Sequence, residues 1–387
     1  MMMWIMIMIA LLCAFLAGCI YISTRIARLG IIRRAASGKK GVGFVMGFAI
    51  LLLVTAAVYF TLGMMNTIIC LLHLFVFWML CDLAVYILLR KKDGRFREYY
   101  AALPAVLLTV LYLAAGWYMA HNVSVTYYTL ETEKQVGSFR IIHFADSHIG
   151  TTFDGKGFYE QIKRMNELNP DVVVITGDYV DDDTTYGDMA DACRALGELQ
   201  TSGGVYFAFG NHDKGYYGSD YRGYGADELV EELAGNGVTV LEDDNVLIDE
   251  RYYIIGRKDR SEEQHGSSRA CMDELICDID SDGKYTIVLD HQPHDYDAQE
   301  EAGVDLVLSG HTHGGQLFPF NYVGEWTKEN EKTYGLETRG DTNYIVTSGI
   351  SDWAIGFKTG CKSEFAVIDI KGRDSSFNPR LANKSGK

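Results

Sequence analysis

Four long stretches in the first third of this 387-residue chain lack charged residues almost completely. They are residues 1–22, 42–62, 67–89 (with Asp82 as the only charge) and 99–120. About 20 apolar residues in a helix cross the roughly 30 Å hydrocarbon core of a bilayer. The first stretch also lacks the basic start of a cleaved signal peptide. We therefore predict four transmembrane spans in a region covering residues 1–121.

Basic residues are concentrated in two of the loops between these stretches. The first loop holds Arg25, Arg28, Arg33, Arg34, Lys39 and Lys40, and the second holds Arg90, Lys91, Lys92, Arg95 and Arg97. Loops rich in Lys and Arg stay in the cytoplasm. Four spans then return the chain to the other side, so we expect a multi-pass protein of the cell membrane whose chain after His121 is extracytoplasmic.

Polar side chains are rare within the predicted spans, and His73 and Asp82 are the ionisable ones. Such residues are functional candidates by default. Asp82 lies near the cytoplasmic end of its span, where it reaches water or Arg90, and the spans contain no second acidic residue that suggests a relay. We expect packing or snorkelling for both side chains.

The rest of the chain is acidic. Up to Val136 there are 12 basic and five acidic residues, whereas the remainder holds 23 basic and 46 acidic residues. Proteins that bind nucleic-acid backbones present clusters of Lys and Arg. The acidic part is therefore not expected to bind nucleic acid.

Short apolar, β-branched runs alternate with helical patterns in the acidic part. The predicted strands are residues 140–145, 171–176, 204–210, 285–290, 304–310 and 343–349, and the predicted helices include residues 157–168 and 188–199. Runs of this length and composition are typical of buried strands. The alternation predicts an α/β layered domain.

Polar side chains follow five of these strands at the points where the strands end. They are Asp146, His148, Asp178, Asn211, His212, His291, His311 and His313. Ligands of open α/β sheets gather at the carboxyl ends of strands, so we expect these residues at one rim. Carboxylate, imidazole and amide oxygen suit Mn, Fe or Zn. No cysteine lies among them, which argues against a structural zinc knuckle.

The sequence "SGHTHGGQ" places two histidines one residue apart. Residues i and i+2 of an extended chain project to the same side, so we expect His311 and His313 to ligate neighbouring ions, and Asp146 with His148 likewise. Gly314 and Gly315 then allow a sharp turn.

The chain resembles the calcineurin-like metallophosphoesterase family. The family's ordered signatures are present as "DSH" (146–148), "GDYVD" (177–181), "GNHD" (210–213), "DHQP" (290–293) and "GHTHGGQ" (310–316). The extended last signature and the preceding spans are similar to a membrane-anchored branch of the family. Two motifs depart from the pattern: "DSH" stands where "DLH" is common, and "GCKSEFAVIDI" (360–370) stands where a proline-rich closing strand is usual.

The resemblance implies a four-layer α-β-β-α sandwich with a dinuclear metal site. One divalent ion would be held by Asp146, His148, Asp178 and His313, and a second by Asp178, Asn211, His291 and His311. Asp178 would bridge them. His212 would face the phosphate, oriented by Asp181, and would protonate the leaving oxygen or hold the phosphoryl group. Two ions about 4 Å apart suit in-line attack on phosphorus.

These inferences predict a membrane-anchored phosphodiesterase acting outside the cytoplasm on an envelope lipid or a nucleotide-linked phosphodiester. Its partners would be the bilayer and a phosphoester substrate, with a lipid-linked phosphoester as one candidate. The alternatives are a broad-specificity extracytoplasmic phosphomonoesterase and a metal-binding scaffold or sensor. We predict domain boundaries of 1–121 for the spans, 122–139 for a linker and leading strand, 140–372 for the catalytic domain and 373–387 for a polar tail.

Overall fold

The computed structural model describes residues 2–90, 99–216 and 222–373. The chain divides into two units, Met1–Trp117 and Tyr118–Lys387. Most of the second basic loop, residues 91–98, and nearly all of the polar tail, from residue 374, lie outside the described residues. What the sequence predicts for those two segments stays a prediction.

The first unit is helical. Its helices are α1 Met2–Ile26, α2 Gly30–Ala35, α3 Lys40–Arg90 and α4 Ala102–His121, the last of which ends in the second unit. Among the described residues, Lys40–Leu88 and Ala102–His121 are long and apolar enough to cross a membrane, and Leu12–Ile26 is a shorter apolar helix. The prediction of four spans is thus corrected to two candidate membrane helices.

Part of the difference lies in the first predicted span, where Leu12–Ile26 is only a shorter apolar helix. The other part lies in α3, which joins the second and third predicted spans. Only Gly63, with φ 78° and ψ 176°, departs from helical geometry where the sequence predicts a loop. An unbroken helix of 51 residues would be about 77 Å long at 1.5 Å per residue, far more than the roughly 30 Å hydrocarbon core. The break at Gly63 divides α3 into two segments that each have the length of one crossing.

Helices α1 and α3 approach closely at Gly47. A Cβ atom at this position would lie 2.4 Å from the Ser23 carbonyl oxygen. Small residues allow such close approach of helix backbones in membrane proteins. Glycine is therefore required at this contact.

Asp82 lies in a hydrogen-bonded cluster within the helical unit. Arg25 Nε is 2.5 Å from one carboxylate oxygen, and the hydroxyls of Tyr21 and Tyr99 each donate to the carboxylate at 2.5 Å. The packing predicted for Asp82 is confirmed. Its described cationic partner is Arg25, because the side chain of Arg90 lies outside the described residues.

His73 is also packed, as predicted. Its Nδ1 donates to the Ile69 carbonyl at 2.8 Å, and its ring centroid is 5.5 Å from that of Tyr112. Both partners lie within the helical unit, so the imidazole has a structural environment.

Among its described residues, the second unit contains twelve strands and seven α-helices of four or more residues. The strands are β1 Ser124–Glu131, β2 Ser138–Phe144, β3 Val172–Thr176, β4 Val205–Ala208, β5 Val238–Val240, β6 Asp244–Ile248, β7 Tyr252–Gly256, β8 Tyr285–Leu289, β9 Leu306–Ser309, β10 Gly335–Arg339, β11 Thr342–Val346 and β12 Glu364–Lys371. The helices are α5 Gly155–Asn166, α6 Tyr186–Leu196, α7 Ala226–Gly235, α8 Ser261–Gln264, α9 Met272–Ile276, α10 Tyr296–Glu301 and α11 Val323–Thr327. The six predicted strands are confirmed as β2, β3, β4, β8, β9 and β11, and the two predicted helices as α5 and α6.

The strands form two six-stranded sheets. The first has the order β1-β12-β2-β3-β4-β5 and the second β10-β11-β9-β8-β7-β6. Strands β2 to β5 run parallel in the first sheet, and β7, β8, β9 and β11 run parallel in the second. Strands β3, β7, β8 and β9 are buried along their whole length, which explains why they read as continuous apolar runs.

Three apolar cores lie between the layers. The central core joins the inner faces of both sheets, with Ile141 and Val174 of the first sheet and Ile254 and Leu308 of the second. Helices α5, α6 and α7 pack against the outer face of the first sheet, and α9 and α10 against the second. The unit is therefore a mixed α/β sandwich of two sheets covered by helices, as the resemblance implies.

Candidate metal centre

The predicted site residues come together where strands of both sheets end. Asp146, Asp178 and Asn211 follow β2, β3 and β4 of the first sheet, while His291 and His311 follow β8 and β9 of the second. The rim that the sequence predicts is thus formed by two sheets, not by one. It lies at the carboxyl end of all five strands, where α/β proteins place ligands.

Two groups of predicted ligands converge closely enough to hold a cation, and a third group consists of Asp181, Asp182 and His212. The first consists of Asp146, His148 and His313, and the second of Asp178, His291 and His311; within each group the candidate ligand atoms lie within 4.8 Å of one another. Asp178 faces both groups, because its Oδ2 is 3.8 Å from His148 Nε2 and 3.2 Å from His291 Nε2. Its position suits a carboxylate shared by two ions.

The side chains fit divalent ions because several buried polar atoms have no other described partner. His148 Nε2, His291 Nε2 and Asn211 Oδ1 are buried without a hydrogen bond to any described residue. Leaving a polar atom buried and unpaired costs about 1–3 kcal/mol. Nitrogen and oxygen donors of this kind are ligands of Mn, Fe and Zn. Six of the seven predicted ligands form the two groups. The seventh, Asn211, directly precedes His212, whose backbone N–H donates to Asp178 Oδ1 at 2.9 Å.

His291 is held in the tautomer that a ligand needs. Its Nδ1 lies 2.7 Å from the Thr176 carbonyl oxygen, which only accepts a hydrogen bond. Nδ1 must therefore carry a proton, so the lone pair of the neutral ring is on Nε2, which faces Asp178. Hydrogen bonds from the second ring nitrogen orient metal-binding histidines in this way.

Protonation of the site responds to burial and to its carboxylates. Burial lowers the pKa of His313 well below its ordinary value, which keeps that imidazole neutral. Burial also opposes charge on His291, but the neighbouring Asp178 carboxylate raises the pKa of His291 well above its ordinary value. A cation bound between them would displace that proton, because metal ligation requires the neutral ring.

Five of the seven predicted ligands have a left-handed backbone. The φ values are 54° at Asp146, 36° at His148, 50° at Asp178, 69° at His311 and 48° at His313. Such conformations cost about 1 kcal/mol or more in residues other than glycine. The expectation that i and i+2 ligands lie in extended chain is therefore wrong. Asp146 and His148 do share a group, but His311 and His313 belong to different groups.

The glycine turn after the two histidines is present. Gly314 and Gly315 have φ of 59° and 68°, and a Cβ atom on Gly315 would lie 2.1 Å from the Asn321 carbonyl oxygen. The backbone of this turn packs against the following loop with no room for a side chain. This close packing fixes the position of His313 immediately before the turn.

Asp181 joins a predicted ligand to the predicted proton donor. Its carboxylate oxygens lie 3.3 Å from His148 Nδ1 and 3.0 Å from His212 Nδ1. Burial opposes charge on His212, but the hydrogen bond to Asp181 and the charges of Asp178 and Asp181 raise the pKa of His212 to about 9. His212 is therefore protonated at neutral pH. Asp181 thus contacts the predicted proton donor His212 and also His148, and the second contact is one that the sequence does not predict.

Asp213 organises two of the site loops, a role that sequence reasoning missed. Its buried carboxylate accepts hydrogen bonds from the backbone N–H groups of Asp178, Tyr179, Val180 and Gly210, at 2.7 to 3.1 Å. This carboxylate fixes the loop after β3 against the loop after β4. Its place at the end of the "GNHD" signature is the only sequence signal for it.

A buried lysine supports the loop that carries Trp353. Lys358 Nζ donates to the carbonyls of Ser348 at 2.7 Å and Ser351 at 2.9 Å, and lies 3.7 Å from the buried Asp352 carboxylate. Trp353 itself is 44% exposed, and its ring centroid is 5.4 Å from that of His212. The loop thus places an aromatic side chain beside the predicted proton donor.

Comparison with known proteins agrees with this geometry. The sequence model of the calcineurin-like phosphoesterases matches residues 139–315. A relative from Aquifex aeolicus named as an uncharacterized metallophosphoesterase is 30% identical over 277 residues, which are 69% of this chain and 99% of the relative. The chain belongs to the calcineurin-like phosphoesterase family. The relatives that match it are named metallophosphoesterases.

Two further relatives are longer than the matched region. An uncharacterized metallophosphoesterase of Campylobacter jejuni is 29% identical over 60% of this chain and 59% of its own length. A protein of Danio rerio named transmembrane protein with metallophosphoesterase domain is 29% identical over 72% of this chain and 64% of its own length. The chain therefore spans about three fifths of these two relatives. The name of the Danio rerio relative and the two candidate membrane helices of this chain both support association with a membrane.

Proposed function

We propose that this protein is a membrane-anchored, dinuclear metal-dependent phosphodiesterase that acts outside the cytoplasm on an envelope lipid or a nucleotide-linked phosphodiester. The observation that carries the proposal is the position of Asp178 between two candidate ligand groups, with His212 beside them. Asp178 Oδ2 lies within 4 Å of an imidazole nitrogen of each group. A protein that only bound metal would have no need of the protonated His212.

The residues have distinct tasks in this reaction. Two bound divalent ions would lower the pKa of a shared water and neutralise charge on the phosphoryl oxygens. His212 is protonated and is held at Nδ1 by Asp181, so its Nε2 is the atom that donates a proton to the departing oxygen. Asn211 would contribute its amide oxygen as a ligand. Because an amide is neutral, this ligand leaves the net charge of the site unchanged.

Exposed aromatic side chains that follow the site residues in the sequence favour a diester over a monoester. Phe318, Phe320, Tyr322 and Trp326 follow the glycine turn, and each is more than half exposed. Trp353 adds a further aromatic surface next to His212. Aromatic side chains often line the sites that bind organic groups. A diester has a second organic group, lipid or nucleotide, that such a surface would contact, whereas a simple monoester has only one.

We expect the purified full chain in detergent micelles to hydrolyse an alkyl phosphodiester faster than the corresponding monoester when Mn, Fe or Zn is supplied. Release of the alcohol from each substrate would be followed, with chelator-treated protein as the control. Faster monoester hydrolysis would overturn the diester assignment and favour a broad phosphomonoesterase. Hydrolysis of neither substrate by metal-loaded protein would favour a scaffold or sensor.

The proposed side of the membrane rests on the distribution of charge. The loop that contains α2 is rich in Arg and Lys, and such loops stay in the cytoplasm. If the two segments of α3 each cross once and α4 crosses after them, the second unit begins on the outer side. The catalytic unit would then meet lipids of the outer leaflet at high local concentration.

Protease added to intact cells, or to spheroplasts if there is an outer membrane, is expected to digest the catalytic unit. Immunoblotting with antibodies against that unit and against the α2 loop would follow the two regions separately. The α2 loop should be cleaved only after the cells are permeabilised. Protection of the catalytic unit in intact cells, with cleavage of the α2 loop, would reverse the proposed orientation.

A further inference from the structure

The helical unit contains a cavity that the proposed reaction does not use. It has a volume of about 620 Å³ and lies between the end of α1, the α2 segment and the start of α3, with Tyr99 on one side. Four basic residues line it, namely Arg28, Arg33, Lys39 and Lys40. All four are exposed, so the cavity opens to the surface.

None of these four cations forms an ion pair with a described residue. Asp82 is the only carboxylate in residues 2–90 and 99–117, and it is already engaged by Arg25. The cavity therefore concentrates positive charge without a described carboxylate to balance it. Like charges repel one another, and an anion placed among them would relieve that repulsion.

The cavity also has an apolar side. Ala27, Ala36 and Phe44 line it together with the cations, and it lies where the candidate membrane helix α3 begins at Lys40. A ligand that has both an anionic group and hydrocarbon matches this combination. Basic pockets between membrane helices bind the headgroups of anionic lipids.

We propose that this cavity binds the phosphate-bearing headgroup of an anionic phospholipid. The basic side chains would contact the phosphate, and the acyl chains would extend along the apolar surface of α3. The residues of this site are distinct from those of the metal centre. The proposal therefore does not depend on the proposed reaction.

Neighbouring arginines of α2 supply a matched test. Arg33 lines the cavity, whereas Arg34 does not, and Arg34 Nε instead donates to the Gly30 carbonyl at 3.3 Å. Both residues are exposed and carry the same charge. Removing either changes the net charge of the loop equally, but only Arg33 contributes to the cavity.

Binding of phosphatidylglycerol and phosphatidylcholine to the full chain in neutral detergent would be measured by native mass spectrometry. We expect Arg33→Gln to weaken phosphatidylglycerol binding by at least about threefold, and Arg28→Gln/Arg33→Gln/Lys39→Gln by at least about tenfold. Arg34→Gln should bind as the unchanged protein does. Binding of phosphatidylcholine should be weak and unaltered in every variant.

Equal losses in Arg33→Gln and Arg34→Gln would overturn the proposal, because they would indicate attraction by overall charge. Displacement of the lipid by millimolar inorganic phosphate would also overturn it, in favour of a site for free phosphate. Thermal melting of each variant would show whether the fold is kept. If the triple variant melts early, the comparison of the two single variants decides.

Discussion

Asp178→Asn is expected to reduce the metal content of the protein and to lower turnover by at least about 10³-fold. Asp178 is the carboxylate that faces both ligand groups, so its charge is needed for either ion. Bound ions supply several kcal/mol of charge stabilisation, and each 1.4 kcal/mol or so corresponds to a factor of ten in rate. Elemental analysis of the purified variant would measure the ions, and a phosphodiester assay the rate.

Asp183→Asn is the matched control for this variant. Asp183 is an exposed carboxylate in the loop after β3, and the same substitution there removes one charge without touching either ligand group. It should keep its metal and its activity. Two tightly bound ions in Asp178→Asn would show that Asp178 is not shared between them.

His212→Ala is expected to keep the metals and to lower turnover of alkyl diesters by about 10²–10⁴-fold, the range for loss of a general acid. The protonated imidazole, oriented by Asp181, would donate to a leaving alkoxide. An aryl ester leaves as a stable phenolate and needs that proton less. We therefore expect a much smaller loss on aryl diesters.

Comparing the two substrate classes in one variant separates two roles for His212. Rates would be measured for an aryl diester and a glycerophosphodiester with the same preparation, so that metal content and folding are shared. Equal losses on both substrates would show that His212 stabilises charge on the phosphoryl oxygens, because that role does not depend on the leaving group.

Sequence reasoning identified the candidate metal ligands because they follow buried strands. Strands such as β3 and β8 are apolar along their whole length, so their ends are visible in the sequence. The edge strands β6 and β10 are partly exposed, and their composition carries no comparable signal. The division into two sheets also depends on pairing between distant segments, which local composition does not encode.

The backbone of the ligand turns was beyond prediction for a related reason. Aspartate and histidine both occur at left-handed φ more often than most residues do, but the sequence does not show that tertiary contacts impose this φ at His148, His311 and His313. One such contact is the pair of hydrogen bonds from the His311 N–H to the Asp146 carboxylate, at 2.9 and 3.1 Å. The hydrogen bonds of Asp213 likewise form only when the loops after β3 and β4 come together. The sequence motifs identified the residues of the candidate site. The contacts between those residues depend on the fold and are not encoded in the motifs.

The pairing of β1 with β12 has a consequence for the order in which the catalytic unit is built. β1 follows α4 directly, yet its neighbour in the sheet is the last described strand, which also separates it from β2. During synthesis, the edges of β1 and β2 that pair with β12 therefore stay unpaired until residues 364–371 have left the ribosome. Exposed edges of this kind promote aggregation. A chain truncated before Glu364 would lose the strand between them, so late truncations should be as harmful to biogenesis as loss of the metal ligands is to catalysis.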